Sequence, residues 1–162
     1  MITTLALSLL VDPAAAATEV GTARKFGLGA ASGNGFISAA GKYWLKPALG
    51  VSAYLGNGGL LQQVRANFEV DLFTARDTEL GKFDVYWLAG VDGGVWLYPG
   101  FASGKLGFGT GLGVDLKFHD MPLDAFVDVG LGGYPFDVCT ISVTLFCYMQ
   151  PRADLGVRYY FP

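Results

Sequence analysis

The sequence predicts an all-β fold, an eight-stranded antiparallel up-and-down barrel, and three observations support this prediction. Apolar and polar residues alternate with a period of two, which places successive side chains on opposite faces of a strand. The alternation recurs in eight segments, and turn-forming residues separate them. The chain has 162 residues, which is enough for one domain of this kind and too few for two ordinary ones.

The alternation is clearest in residues 63–73 and 106–119. In residues 63–73 every member of one phase is apolar, while the other phase holds Arg65, Glu69 and Asp71. Residues 106–119 repeat this separation, with all charges in one phase. A helix would mix the two sets around its axis, so the pattern indicates strands. The other six predicted strands span residues 25–32, 36–45, 48–55, 83–95, 123–131 and 152–161.

Seven connections join the eight segments, as an up-and-down barrel requires. Each contains residues that favour turns, chiefly glycine, proline, asparagine and aspartate. The connections lie at residues 32–35, 46–47, 56–59, 76–78, 99–100, 119–122 and 132–151.

Alternation alone does not show which phase faces outward. A membrane barrel turns its apolar phase to lipid, whereas a soluble ligand-binding barrel turns it inward. The polar phase here is rich in small residues, as at Gly107, Gly109, Gly111 and Gly113, which suits the narrow interior of an eight-stranded barrel. Aromatic residues near strand ends fit girdles at two membrane interfaces. These are Phe26, Tyr43, Phe83, Phe118, Tyr159 and Phe161. We therefore predict a transmembrane barrel.

The composition agrees with a barrel that has one face in lipid. Charged residues make up 15% of the chain, below the roughly 25% typical of soluble domains, and the mean hydropathy is +0.40. Charges interrupt the chain too often for an apolar run of about 18 residues, so helical spans are not expected. The net charge of −3 and the absence of a basic stripe argue against nucleic acid as a partner.

The N-terminus has features of a signal peptide. Residues 5–11 form a short apolar stretch, and the alanine run that follows offers a cleavage site near Ala16 or Ala17. No Lys or Arg precedes the apolar stretch, so the true start of the signal peptide stays open, and a strand-forming or disordered N-terminus is the alternative. We expect residues 1–17 to be the signal peptide and residues 18–162 to be one barrel domain.

Three motifs carry a resemblance to known barrels. They are residues 41–45 (GKYWL), 122–128 (PLDAFVD) and the ending 156–161 (GVRYYF). Together they resemble small outer-membrane barrels of the OmpX and OmpA-transmembrane type, and more closely an uncharacterised family of small barrels ending in GVRYYF. The resemblance implies that Tyr159 and Phe161 belong to the signal by which the outer-membrane assembly machinery recognises such chains. The family usually ends on the aromatic residue, whereas this chain adds a proline.

Charged residues of the polar phase would point into the barrel. Their two signs are nearly balanced, and unpaired charges in a narrow lumen would be costly. We therefore expect a network of ion pairs that fills the lumen and leaves no large pore, with a proton or ion path as the alternative. The predicted lumen network comprises Lys42, Arg65, Glu69, Asp71, Asp84, Asp92, Asp115, Lys117, Asp124, Asp128, Asp154 and Arg158.

The two cysteines, Cys139 and Cys147, lie in the long seventh connection. If both chain termini are periplasmic, this connection is extracellular, as is usual for the longer loops of such barrels. An oxidising compartment would permit a disulfide between them, and two free cysteines are the alternative.

Catalytic and metal-binding residues are not evident. The single histidine, His119, falls in a short turn beside Asp120, with no nucleophile in view. One histidine and two cysteines also provide few metal ligands. We predict neither enzymatic activity nor a cofactor.

These observations predict an exported, non-enzymatic, monomeric protein of the bacterial outer membrane with a structural or surface-interacting role. Its partners would be outer-membrane lipid, lipopolysaccharide and the assembly machinery. One alternative is a soluble or periplasmic lipid-binding barrel with the apolar phase inside. Another is a narrow transporter of small apolar molecules that opens laterally, to which the hydrophobic residues 138–149 would recruit ligands.

Overall fold

The computed structural model describes residues 20–34, 36–59, 61–99, 101–134 and 149–162. Eight antiparallel strands form one closed barrel, in which each strand pairs with its neighbours in the chain and the last pairs with the first. This confirms the predicted fold class. No helix in the described part is long and apolar enough to span a membrane. The strands are β1 (Phe26–Gly33), β2 (Phe36–Lys46), β3 (Leu49–Gly58), β4 (Leu61–Asp77), β5 (Gly81–Tyr98), β6 (Phe101–Phe118), β7 (Leu123–Gly133) and β8 (Met149–Phe161).

The barrel has two distinct ends. At the terminal end lie Val20, which is the first described residue, the end of β8 and the connections at residues 47–48, 78–80 and 119–122. At the loop end lie the last residues of β1, β3, β5 and β7 and the first residues of β2, β4, β6 and β8.

Strands β4 to β6 are longer than the alternation predicted, with 17, 18 and 18 residues. In β4 the pairing with β5 shifts between Asp71 and Phe73, and again between Thr74 and Arg76. Such irregularities insert an extra residue, so the side-chain alternation breaks although the hydrogen-bonded ladder continues. Leu72 and Phe73 consequently both lie exposed. The predicted end of the strand is therefore the place where the alternation stops, whereas the strand itself continues to Asp77.

The two phases of the alternation face opposite sides of the barrel wall. In β8, Arg158 and Tyr160 are fully buried in the interior, while Leu155 and Val157 are 63% and 55% exposed on the outside. The same pattern holds around the barrel, so the apolar phase faces outward and the polar phase inward. A soluble lipid-binding barrel would need the reverse arrangement.

The aromatic residues predicted to form two girdles all lie toward the terminal end. Phe26, Tyr43 and Phe161 are exposed, and the others are half-buried. The rings of Phe26 and Phe161 stack with centroids 6.1 Å apart, and Tyr159 meets Phe161 edge-on at 5.1 Å. The prediction that these six residues mark both interfaces was therefore wrong. Neighbouring strands run in opposite directions, so the first residues of one strand and the last residues of the next lie at the same rim.

Interior glycines make room for large rings. A Cβ atom on Gly27 would come within 2.8 Å of the Tyr160 ring, and one on Gly113 would collide with the Tyr86 ring and the Asp128 carboxylate. These two glycines let tyrosine side chains lie across the narrow lumen, which a larger residue would obstruct.

Candidate functional site: the charged interior

The structure brings the twelve charged residues predicted for the lumen together in the barrel interior. Eleven of them are buried, and Asp71 is half-buried. Lys105, which the sequence did not single out, is buried as well, because β6 begins five residues before the predicted strand. The interior charges form one cluster near each end of the barrel and a single carboxylate between them.

Lys42 is the centre of the first ion-pair group at the terminal end. Its Nζ lies 2.6 Å from Glu69 Oε2 and 3.4 Å from Asp115 Oδ2, and all three side chains are fully buried. The ammonium group also lies 4.0 Å from the centroid of the Trp44 ring. A cation over an aromatic face is attracted to the ring, and most strongly where water is excluded.

Lys117 is the centre of a second group beside the first. Its Nζ lies 2.9 Å from Asp84 Oδ2, 3.3 Å from Asp71 Oδ2 and 3.8 Å from Asp115 Oδ1. It also lies 4.5 Å from the Trp44 ring. Asp115 and Trp44 therefore contact both lysines, so the two groups form one connected network.

Arg158 completes the terminal-end cluster. Its Nε lies 3.0 Å from Asp124 Oδ1, and the Tyr160 hydroxyl donates a hydrogen bond to Asp124 Oδ2 at 2.7 Å. The guanidinium carbon lies 4.0 Å from the Phe126 ring centroid. Asp124 is thus held by one charged donor and one neutral donor, both fully buried.

Asp128 occupies the middle of the lumen and is held by neutral donors. The Tyr54 hydroxyl donates to Asp128 Oδ2 at 3.1 Å, and the Tyr86 hydroxyl donates to Oδ1. Two hydroxyl donors satisfy a buried carboxylate without a cation, although they provide less charge compensation.

Asp92 is the centre of the cluster at the loop end. Its Oδ2 accepts hydrogen bonds from Arg65 Nε at 3.3 Å and from the Tyr134 hydroxyl at 2.9 Å, and lies 3.8 Å from Arg152 Nη2. Arg65 also donates through Nη1 to Asp154. Burial, followed by the nearby Asp92 carboxylate, raises the pKa of Tyr134, which follows β7, to about 12. The hydroxyl therefore remains a donor at neutral pH.

The two end clusters differ in charge. At the loop end three cations face two carboxylates, and at the terminal end four cations, including the half-buried Lys82, face five carboxylates. The interior is therefore relatively positive toward the loop end and negative toward the terminal end. The loop-end cations are Lys105, Arg65 and Arg152, and the terminal-end cations are Lys42, Lys82, Lys117 and Arg158.

Interior space between these side chains is small. One cavity of about 10 Å³ lies beside Arg65, Gln63 and Tyr54, and another of about 10 Å³ lies beside Asn67 and Arg152. A cavity needs about 10–15 Å³ of this kind of volume to hold one water molecule. Each cavity is thus of single-water size.

An apolar cap covers the terminal-end cluster. Val20 packs against Trp44 and Tyr160, and all three are buried. Arg24 Nη1 donates to the Tyr160 carbonyl at 3.4 Å, and the Gly21 amide donates to the Arg24 carbonyl at 3.0 Å. The residues just before β1 therefore fold beneath the barrel and separate the charged cluster from solvent.

The other residues predicted from the sequence fall at the rims or outside the described residues. His119 Nε2 lies 2.9 Å from Asp77 Oδ1 at the terminal end, where the His119 side chain is half-buried and the Asp77 side chain is exposed. Tyr159 and Phe161 lie at the same rim. Among the described residues no group of His, Cys, Asp and Glu is placed to hold a metal ion. Cys139, Cys147 and residues 1–17 lie outside the described residues.

Comparison with solved structures supports the barrel fold. The chain is similar to the N-terminal β-barrel domain of Pseudomonas aeruginosa OprF, with a TM-score of 0.51 and 13% sequence identity. The match covers 85% of this chain and 96% of that domain. At this identity the likeness shows the fold alone. No family model and no curated protein match the chain.

Proposed function

We propose that the protein is an integral β-barrel of the bacterial outer membrane, with a structural or surface-interacting role and a lumen filled by charged side chains. The exposed apolar outer surface carries this proposal. Among the described residues, 27 large hydrophobic side chains are exposed. Soluble monomeric proteins rarely expose apolar patches beyond a few hundred Å², so a surface of this kind requires a non-aqueous environment.

The outward row of β7 covers most of the height of a membrane's apolar band. Its outward residues run from Leu123 to Leu131 without a charge. Eight residue steps of about 3.3 Å span about 26 Å along the strand, and a tilt of about 40° reduces this to about 20 Å along the barrel axis. The apolar band of outer-membrane barrels is about 25 Å tall.

Trp87 and Thr110 on the outer wall satisfy their polar groups by hydrogen bonds within the protein, as contact with lipid requires. The Trp87 side chain is 42% exposed, and its Nε1 donates to Thr110 Oγ1 at 2.8 Å. Thr110 Oγ1 in turn donates to the Leu88 carbonyl at 2.9 Å. In hydrocarbon an unpaired polar group costs several kcal/mol, whereas on a water-facing surface the pairing would bring little advantage.

The ion-pair network supports a filled lumen without a large pore. The interior cations and carboxylates bind one another across the barrel, and the neighbouring cavities are of single-water size. The fold shared with the OprF domain and the resemblance to OmpA-type barrels support the same placement in the outer membrane. We further propose that the protein is a monomer without catalytic activity and that it contacts phospholipid and lipopolysaccharide.

The C-terminal residues fit a role in assembly. Tyr159 and Phe161 contact each other on the last strand, and Phe161 also stacks on Phe26 of β1. These rings meet across the seam that closes when β8 pairs with β1. We propose that the assembly machinery binds Tyr159 and Phe161 before the seam closes.

Quenching by brominated lipids tests the membrane placement and the orientation of the wall together. Two variants each keep one tryptophan: W44F/W96F keeps Trp87 on the outside, and W87F/W96F keeps Trp44 in the interior. In vesicles of lipids brominated on the acyl chains, we expect strong quenching of Trp87 and little quenching of Trp44. Quenching of Trp44 alone would show that the wall faces the other way.

Two further measurements address the alternatives. A full-length chain that is folded and monodisperse in buffer without detergent or lipid would refute the membrane assignment. Steady large currents in planar bilayers would refute the filled lumen, whereas the filled lumen predicts no large conductance.

A further inference from the structure

A depression of about 700 Å³ lies on the outer face of β1 to β5. Its floor consists of Gly41, Ala53 and Ala66, which stand side by side because Gly41 pairs with Ala53 and Ala53 pairs with Ala66. Three small residues in one row across three strands leave the wall thin at this place. A Cβ atom on Gly41 would make ordinary van der Waals contact with Leu28 Cδ2 at 3.4 Å and meet no closer atom, so a larger side chain at this position can be accommodated and would extend into the depression.

Bulky side chains surround this floor on all sides. The rows that pair next to it toward the terminal end and toward the loop end both contain large apolar residues. Leu55, Val64 and Phe68 are 63%, 56% and 56% exposed, so they stand out from the wall. Large side chains of the rim include Leu28, Tyr43, Leu55, Val64, Phe68 and Val91.

Two lysines lie beside the depression at the terminal end. Lys25 directly precedes Phe26, which lines the depression, and Lys46 is the last residue of β2. Both are exposed, and neither forms an ion pair with a described residue. Among the described residues, the exposed acidic side chains of this end lie elsewhere, near the connections between β4 and β5 and between β6 and β7. They are Asp77, Glu79 and Asp120.

We infer that the depression binds one acyl chain of an anionic phospholipid whose phosphate is held by Lys25 and Lys46. This inference rests on the proposed membrane location. The positive charge of the two lysines favours an anionic head group. The apolar depression beside them, called the bowl below, accommodates the acyl chain of the same lipid. From Tyr43 to Ala39 the depression extends four residue steps, about 13 Å along the strand. With a tilt of about 40° this is about 10 Å along the barrel axis, which is nearly half of an apolar band about 25 Å tall and most of the depth of one lipid leaflet.

Native mass spectrometry of the full-length protein in mild detergent tests the inference. The probes are phosphatidylglycerol, which is anionic, and phosphatidylcholine, which is zwitterionic, with matched acyl chains. We expect one phosphatidylglycerol to bind per protein in preference to phosphatidylcholine. Ala53→Phe or Gly41→Leu fills the bowl and should weaken binding of both lipids at least about tenfold, the equivalent of about two buried methylene groups.

The charge variants should separate head-group binding from chain binding. Lys25→Gln and Lys46→Gln should each weaken phosphatidylglycerol binding about fivefold. They should weaken phosphatidylcholine binding less, because its choline cation already offsets the charge of its phosphate. Val129→Phe, on the outer wall away from the bowl, and Arg76→Gln, an exposed cation on β4, are matched controls that should have no effect. Heat-modifiable gel mobility checks that each variant folds.

Two results would overturn the inference. Lipid binding that survives both bowl variants would show that the chain lies elsewhere. Loss of a dimer mass in Ala53→Phe, with lipid binding intact, would identify the bowl as a contact between two copies of this chain. Either result can occur while Trp87 is still quenched by brominated lipid, so failure of the lipid site and failure of the membrane proposal are distinguishable.

Discussion

An arginine at position 127 tests how strongly the outer wall depends on its apolar character. Val127 lies in β7, is 53% exposed and has Val114 and Leu155 as its register partners on the neighbouring strands. An arginine here would place a guanidinium group on a charge-free part of the wall. At the membrane midplane such a substitution destabilises a barrel by about 2–4 kcal/mol.

The position of Val127 along the strand justifies the use of this midplane range. It lies four residues from Leu123 and four from Leu131, which is about 13 Å along the strand in each direction. It is therefore central in the apolar row, where the arginine can least easily extend to the interface. Leu131→Arg is the depth control, because near the interface the same substitution costs about 0–1 kcal/mol.

Urea unfolding in phospholipid vesicles, followed by tryptophan fluorescence, measures the difference. We expect Val127→Arg to lower the free energy of unfolding by about 3 kcal/mol, Leu131→Arg to lower it by less than half as much, and Val127→Leu to leave it nearly unchanged. Equal effects of arginine at positions 127 and 131 would refute the depth argument. No effect at position 127 would refute the lipid-facing wall itself.

Three other substitutions address the interior. Gly111→Arg should prevent formation of the heat-modifiable folded species on gels, because even a Cβ atom there would collide with the backbone of β7. Arg158→Met should lower the free energy of unfolding by about 3–5 kcal/mol, because it leaves Asp124 buried without its charged partner. The double variant R158M/D124L should be more stable than R158M alone. An equal loss in both variants would show that the unpaired Asp124 carboxylate is not the cause. Val20→Asp should open the apolar cap, so that amide hydrogen exchange near Tyr160 accelerates while urea unfolding of the barrel changes little.

The sequence predicted the barrel well because its physical requirement is periodic. A strand with lipid on one side and a packed lumen on the other needs an alternation of apolar and polar residues, and all eight strands show it over most of their length. The prediction fell short where periodicity fails, as in β4, where Leu72 and Phe73 both face outward at a register shift. Single-strand patterns do not reveal such a shift, because it depends on how β5 pairs.

The charged residues of the lumen could be placed in the polar phase from sequence, but their partners could not. The pairs join residues that are far apart in the chain, as with Lys42 and Asp115, so spacing holds no information about them. The interior aromatics were missed for another reason. Tyr54 and Tyr86 belong to the polar phase, and aromatic residues occur in both phases, so residue type alone did not indicate their role as donors to Asp128.

These contacts across the lumen favour one strand register over others, which the apolar side chains of the outer wall do not do. A slip of two residues between neighbouring strands keeps apolar side chains facing lipid, because every outward residue of a strand such as β7 is apolar, and it preserves the backbone ladder. It would separate Arg65 of β4 from Asp154 of β8, and Tyr54 of β3 from Asp128 of β7. Because unpaired charges in the lumen are costly, the interior contacts favour one register over its two-residue neighbours. The charged filling therefore specifies the shape of the barrel as well as closing its lumen.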